Sequence, residues 1–136
     1  MNDDDLRRIL LSTRRIALVG ASAKPQRPSH QVMAYLLAQG YEVIPVNPGL
    51  AGQEILGQRV VASLDEAAPL DMVDLFRNPA EVMAPVQDAI RLKAKTIWMQ
   101  LGVVNDEAAR LAQAAGLAVV MDRCPAIDLP RLGLAR

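Results

Sequence analysis

The 136-residue sequence has little of the residue types that mark several classes of protein. A single cysteine, Cys124, excludes an internal disulfide, and four aromatic residues are too few for a surface that stacks nucleobases. Fifteen basic residues balance fifteen acidic ones, so the charge does not favour a nucleic-acid partner. No apolar run approaches the roughly 18 residues of a membrane span, and the acidic segment 1–5 lacks the basic start of a signal peptide. We therefore expect a cytoplasmic protein without a nucleic-acid or membrane partner.

What the sequence does contain is the patterning of an α/β domain. It is 51% hydrophobic and 22% charged, as globular proteins are, and apolar stretches alternate with stretches that carry a helical apolar stripe. We expect one Rossmann-like domain over 1–136, in which a helix at 3–14 precedes a doubly wound core at 16–121 and a C-terminal segment at 122–136. The core is expected to hold a mainly parallel sheet of about five strands. The predicted strands are 16–19, 42–46, 71–76, 96–99 and 117–121, with a short one at 59–61.

Capping residues set the predicted helix boundaries. Arg14 and Arg15 suit the negative end of the first helix, and Ser29 is expected to cap the second. Asn78, followed by a proline and then by Glu81, has the spacing of a helix start. Further helices are predicted at 63–68, 105–116 and 125–132.

The connection after the first strand has the character of a phosphate-binding turn. Glycine and small polar residues lead from a buried strand into a helix, and Lys24 and Arg27 add positive charge. The dinucleotide fingerprint G-x-G-x-x-G is missing, because Ser22 stands where its second glycine belongs. The second strand ends at Asn47 instead of at a carboxylate that would hold a ribose. The turn therefore predicts an anion site and disfavours an ordinary NAD site.

Ligands of doubly wound sheets bind beyond the carboxyl ends of the strands. The segments there offer basic side chains and amides, but no nucleophile–base pair and no metal cluster. His30 has no matched carboxylate in the sequence and is expected to pack or to face water, and Cys124 is expected to be buried and inert. We therefore predict no catalytic residue and no metal site. The five segments are 20–29, 47–48, 76–78, 100–102 and 122–124.

Five motifs in this order resemble those of the small stand-alone CoA-binding-domain proteins, which are related to the nucleotide-binding domain of the succinyl-CoA synthetase alpha subunit. The resemblance runs from about residue 16 to residue 132, and any one motif alone would be weak evidence. The motifs are Gly20–Ser29, Gly40–Pro48, Asp74–Arg77, Trp98–Gly102 and Asp122–Cys124.

The resemblance implies that coenzyme A or an acyl-CoA is the ligand, with its pyrophosphate over the first turn. It places Asn47 and Pro48 beside the ribose or its 3′-phosphate. It also places Phe76 and Arg77 against the adenine and the adjoining phosphate, and Gln100 toward the pantetheine arm. The turn residues carried over are Gly20, Ala21, Ser22, Lys24, Pro25, Arg27 and Ser29.

The expected function is binding of this small molecule without catalysis by the chain alone, as a sensor, carrier or accessory module. With one domain expected over 1–136, we expect no second domain that could carry the phosphohistidine of a synthetase. Two alternatives stay open. One is an NAD(P)-dependent oxidoreductase that takes its substrate site from an oligomer partner, in which Asn47 would tolerate a 2′-phosphate. The other is a subunit of a larger acyl-CoA enzyme, with a protein partner.

Overall fold

A sheet of five parallel strands organises the fold, and the computed structural model describes all residues from 1 to 136. The strands of this sheet are β1 (Arg15–Val19), β2 (Glu42–Val46), β5 (Met72–Leu75), β6 (Thr96–Met99) and β7 (Ala118–Val120). A separate antiparallel pair, β3 (Glu54–Ile55) and β4 (Gln58–Arg59), lies in the connection after β2. The helices are α1 (Asp3–Ser12), α2 (Pro28–Ala38), α3 (Leu64–Ala67), α4 (Met83–Arg91), α5 (Asp106–Ala114) and α6 (Pro125–Arg131).

The strand order is β2-β1-β5-β6-β7, which is the doubly wound topology that the sequence predicted. From β1 the chain first moves outward to β2 and then returns across β1 to β5, with all neighbours parallel. The direction of winding therefore reverses between β1 and β5. The carboxyl ends of these two strands form the switch point where such sheets bind ligands.

Helices cover both faces of the sheet, because its strands are apolar on both sides. Alternate residues of β1 point to opposite faces: Ala17 and Val19 pack in a cluster that includes residues of α3, α4 and α5. Ile16 and Leu18 pack in a second cluster with residues of α1, α2 and α6. The sheet thus separates two cores.

The first helix ends at Ser12, so its predicted extent of 3–14 is wrong. Asn2 and Asp5 form a capping box at its start, whereas no basic residue occupies its last turn. Arg14 and Arg15 instead donate their backbone N–H groups to the Asp71 carboxylate, each at 3.0 Å, and Arg15 opens β1. Strand pairing therefore outweighs the helix-end electrostatics on which the prediction rested.

The predicted cap of the second helix is wrong as well. The second helix begins at Pro28 with Arg27 as its N-cap, and Ser29 lies buried in its first turn without capping it. Proline suits the first helical position because its fixed φ is already helical and it has no N–H to satisfy. Asn78, in contrast, is the N-cap of a short 3₁₀ helix, Pro79–Glu81, which precedes α4, although its side chain bonds the Glu81 carboxylate and not the backbone.

Candidate functional site

A cleft of about 1150 Å³ opens at the switch point, above the carboxyl ends of the strands. Ten of the twelve predicted site residues line it, and the other two, Pro25 and Pro48, do not. Pro25 lies in the exposed middle of the first crossover, and Pro48 begins a 3₁₀ turn after β2. The lining residues among the predicted ones are Gly20, Ala21, Ser22, Lys24, Arg27, Ser29, Asn47, Phe76, Arg77 and Gln100.

Gly20 lets two loops of the cleft touch. Its φ of +88° is one that L side chains rarely adopt, and a Cβ at this position would overlap the carbonyl oxygen of Phe76. Its backbone N–H donates to the carbonyl of Val46 at 3.1 Å, and that of Ala21 donates to the same oxygen at 3.4 Å. The glycine is therefore required for the close contact between the loops after β1 and β5.

The loop after β1 (20–27) displays backbone donors that the protein itself does not use. The N–H groups of Ser22, Ala23 and Ser29 donate to no group of the chain. Ser29 lies in the first turn of α2, an 11-residue helix whose positive end has no side-chain cap. Unused amides at a helix start favour an anion there, so the loop has the donors that the sequence predicted.

Lys24 and Arg27 are the free cations of the cleft. Both are exposed, and neither forms an ion pair with a carboxylate of the chain. The backbone of this loop is ordered by its own bonds: Lys24 N–H donates to the Ser22 hydroxyl at 3.1 Å, and Arg27 N–H donates to the Lys24 carbonyl at 3.0 Å. Two cations are therefore held at the cleft with their charge available.

Arg77 also lines the cleft, but its charge is already paired. Its guanidinium donates to Glu81 at 2.7 Å, and Asn78 donates to the other oxygen of the same carboxylate at 3.2 Å. The bond from Arg77, with the one from Asn78, holds the pKa of Glu81 below its ordinary value. The loop after β5 (76–82) thus brings a neutralised arginine to the site, which the sequence prediction did not foresee.

Asn47 ties loops together at the end of β2. Its side-chain carbonyl accepts from Gly49 N–H at 2.9 Å, and its amide nitrogen donates to the Ala21 carbonyl at 2.9 Å. One of the two amide hydrogens is left over, since Asn has two. Asn47 therefore acts as a turn residue and a loop brace, and it retains one donor at the cleft wall.

Asp74 and Gln100 form a buried pair beneath the cleft. Asp74 is fully buried in the central strand β5, and burial raises its pKa well above the ordinary value. With the Gln100 amide nitrogen turned toward it, that nitrogen donates to the two carboxyl oxygens at 2.9 and 3.2 Å. The opposite orientation would place only acceptors at the amide oxygen and only donors at the nitrogen. Gln100 is thus held from below, which the predicted pantetheine contact did not include.

Several lining residues were missed by the sequence prediction. Three of them lie on one face of α2, Gln31, Val32 and Tyr35, and projecting the predicted helix onto a wheel beside the anion loop would have found that face. Cys124, which lies in the predicted segment 122–124 and was expected to be buried, is buried and lines the cleft. Three more, Pro28, Asn78 and Leu101, lie within the predicted ligand-binding segments. The remaining ones are neighbours of predicted loop residues: Gly49, Leu50, Glu81, Val103 and Ala126.

The sequence that forms this sheet and cleft matches a known family. The family described as the CoA binding domain matches residues 14–130. The chain belongs to the CoA binding domain family. Among its relatives, the YneT protein of Bacillus subtilis (strain 168) is 38% identical over 121 residues, which is 88% of both chains.

Solved structures that are similar in sequence to this chain share its fold closely. The crystal structure of Prb, described as PH1109 protein redesigned for binding, is 42% identical with a TM-score of 0.94, covering 100% of this chain and 95% of that one. The Thermus thermophilus protein ID.343 is 41% identical with a TM-score of 0.91, covering 97% and 99%.

Part of a larger enzyme has a similar fold. The dinucleotide-forming acetyl-coenzyme A synthetase 1 of Ca. Korarchaeum cryptofilum is 23% identical with a TM-score of 0.71, covering 87% of this chain and 28% of that one. This likeness is one of fold. No helix of the chain combines the length and apolar character needed to cross a bilayer.

Proposed function

We propose that this protein binds coenzyme A or an acyl-CoA through its phosphates and catalyses no reaction alone, acting as a sensor, carrier or accessory module. The observation that carries the proposal is the loop after β1. It offers unused N–H groups of Ser22 and Ala23 beside the unpaired cations Lys24 and Arg27. Charge-assisted bonds from such donors to phosphate contribute on the order of 1.5–3 kcal/mol each. Membership of the CoA binding domain family supports the same ligand.

The end of β2 supports a ligand with a phosphate on its ribose. A carboxylate at this place would accept from ribose hydroxyls and would repel a phosphate, whereas Asn47 carries no charge and keeps one donor. The cations of the neighbouring loop raise the local positive potential. The arrangement suits the 3′-phosphate of CoA better than the free ribose of NAD.

The non-catalytic part of the proposal is supported by the composition of the cleft wall. Its charged side chains are Lys24, Arg27, Arg77 and Glu81, and Glu81 is committed to Arg77. His30 does not line the cleft. These groups suit holding an anion, and none of them forms a nucleophile hydrogen-bonded to a base.

Isothermal titration with CoA, dephospho-CoA and NADPH tests the ligand. We expect CoA to bind about tenfold more tightly than dephospho-CoA, since the latter lacks one charge-assisted contact. Equal affinities would remove the 3′-phosphate contact, and tighter binding of NADPH than of CoA would replace the proposal with a nicotinamide site.

Incubation of the protein with butyryl-CoA, followed by mass spectrometry of the small molecules, tests the absence of catalysis. The thioester should be lost no faster than in a control without the protein, where only spontaneous hydrolysis occurs. Faster loss of the acyl group in the presence of the protein would contradict this part of the proposal.

A further inference from the structure

The charge that lines the cleft is confined to one half of it. Lys24 and Arg27 come from the loop after β1, and Arg77 and Glu81 follow β5. The opposite half, here the apolar half, is built by the segments after β6 and β7, the two strands on the far side of β5 in the sheet. Its lining residues carry no charge: Gln100, Leu101, Val103, Cys124 and Ala126.

Charged residues do exist beside the apolar half, but they are turned away from it. Asp122 accepts from Gly102 N–H at 2.7 Å and braces the turn after β6. Arg123 donates to both oxygens of the buried Asp128, at 2.8 and 3.0 Å. Neither Asp122 nor Arg123 lines the cleft. The local folding therefore removes two charges that the sequence would otherwise place at this wall.

Two polar side chains beneath this half donate inside the protein and not into the cleft. The amide nitrogen of Gln100 donates to Asp74, whose raised pKa favours its neutral form. The indole N–H of Trp98 donates to the Arg123 carbonyl at 2.8 Å. With these side-chain donors committed inside the protein, the side chains of the apolar half give little to a charged ligand group.

At the rim of the apolar half, Leu101 is held out toward the cleft. It occupies the second position of a turn in which Val103 N–H donates to the Gln100 carbonyl at 2.8 Å and Gly102 has a φ of +80°. Leu101 lines the cleft and is 56% exposed, while Val103, two residues further along the chain, lines the cleft and is buried. A fixed turn thus presents a large apolar side chain that a ligand would cover.

We infer that the apolar half receives an uncharged acyl chain, so that the protein prefers thioesters of CoA with uncharged acyl groups to free CoA. This inference rests on the proposed function. With the ligand's phosphates on the loop after β1, its uncharged thiol end extends across β5 toward β6 and β7. An acyl chain on that thiol then lies against Leu101, Val103 and Ala126 and removes apolar surface from water.

Titration of CoA, butyryl-CoA, hexanoyl-CoA and succinyl-CoA under one set of salt conditions measures the preference. Affinity should rise from CoA to butyryl-CoA to hexanoyl-CoA, by up to about fourfold for each methylene that is fully buried. Succinyl-CoA, whose chain ends in a carboxylate, should bind more weakly than butyryl-CoA because the apolar half has no cation to pair with it.

Variants of Leu101 test whether the acyl chain contacts this residue. Leu101→Ser should flatten the dependence on chain length, and Leu101→Met should keep it. Val104→Ser is the matched control, because Val104 lies in the same connection and is 44% exposed but does not line the cleft. It should retain the full dependence.

The outcomes separate this inference from the proposed function. Equal affinity for CoA and hexanoyl-CoA would overturn the inference and leave CoA binding intact. A chain-length dependence that survives in Leu101→Ser would also overturn it, since the chain would then lie elsewhere. Failure of every CoA species to bind would overturn the proposed function and this inference together.

Discussion

The loop after β1 and the loop after β5 meet at Gly20, and both bring an arginine to the cleft. In the first loop, Arg27 has no carboxylate partner and stands beside unused backbone N–H groups. In the second, Arg77 is held by Glu81 at 2.7 Å. The difference teaches that lining a cleft does not make a cation available, since a partner four residues along the chain can take its charge. The strands below differ as well, because β1 is apolar from Ile16 onward while β5 buries Asp74.

Breaking the contact between the two loops should have the largest effect. Gly20→Ala would combine an unfavourable φ with overlap on the Phe76 carbonyl, and we expect a loss of at least about 2 kcal/mol in the free energy of unfolding. CoA binding should fall in parallel. Urea denaturation and calorimetric titration measure the two effects.

Gly57→Ala is the control for that change, because Gly57 has a φ of +78° but nothing within 4 Å of an added Cβ. It should cost only the conformational part, about 1–2 kcal/mol. If both variants lose the same stability, the close approach of the two loops does not matter.

Because β5 buries Asp74 and β1 buries no such group, we expect the free energy of unfolding to depend on pH through Asp74. Burial raises the pKa of Asp74 in the folded state above its unfolded value, so the folded protein binds the proton more tightly. The contribution of Asp74 is therefore most favourable below the unfolded pKa and is lost as pH rises toward the folded pKa. Asp74→Asn cannot titrate, so its stability relative to the wild type should improve by roughly 1 kcal/mol for each pH unit across that window.

Urea unfolding of both proteins at several pH values measures this difference. A stability difference that does not change with pH would show that the Asp74 carboxyl titrates alike in the folded and unfolded chains. The comparison of the two proteins cancels the titration of all other groups.

Removing the available arginine should weaken binding without affecting stability. Arg27→Ala is expected to weaken CoA binding about tenfold, corresponding to about 1.4 kcal/mol. Arg110→Ala, which removes an exposed cation of α5 outside the cleft, should change affinity by less than about twofold at moderate salt. Calorimetric titration decides, and an Arg27→Ala protein with wild-type affinity would take Arg27 out of the site.

Releasing the paired arginine should have the smallest effect and the opposite sign. Glu81→Gln removes the carboxylate that holds Arg77 and should strengthen CoA binding by about twofold, because the pair is exposed and screened. Weaker binding in this variant would show that Glu81 contacts the ligand directly, and the contrast between the two loops would then fail.

The fold was predictable because its signals are local. The spacing of apolar residues located β2 and β6 at their observed bounds, 42–46 and 96–99. The start of α2 was misplaced because Ser29 is a good cap in isolation, whereas Pro28 is better suited to the first helical position. Likewise, Arg15 was assigned to a helix end although it pairs with Glu42 across the sheet.

The sequence predicted which loops form the site, but it did not predict which side chains pair with one another there. The pairing of Arg77 with Glu81 was within reach, since an arginine and a glutamate four residues apart are a familiar helical pair. The pairing of Asp74 with Gln100 was not. It depends on β5 and β6 being neighbours in a register that sets Asp74 beside Trp98, with Gln100 two residues further along the same face. No local sequence pattern predicts which strands are neighbours or their register.

A crystal structure of the protein grown with CoA tests the central claim most directly. We predict that the pyrophosphate oxygens lie within hydrogen-bond distance of the backbone nitrogens of Ser22 and Ala23, with Arg27 turned toward a phosphate. A cleft that contains no CoA, or a bound CoA whose phosphates lie away from this loop, would contradict the account.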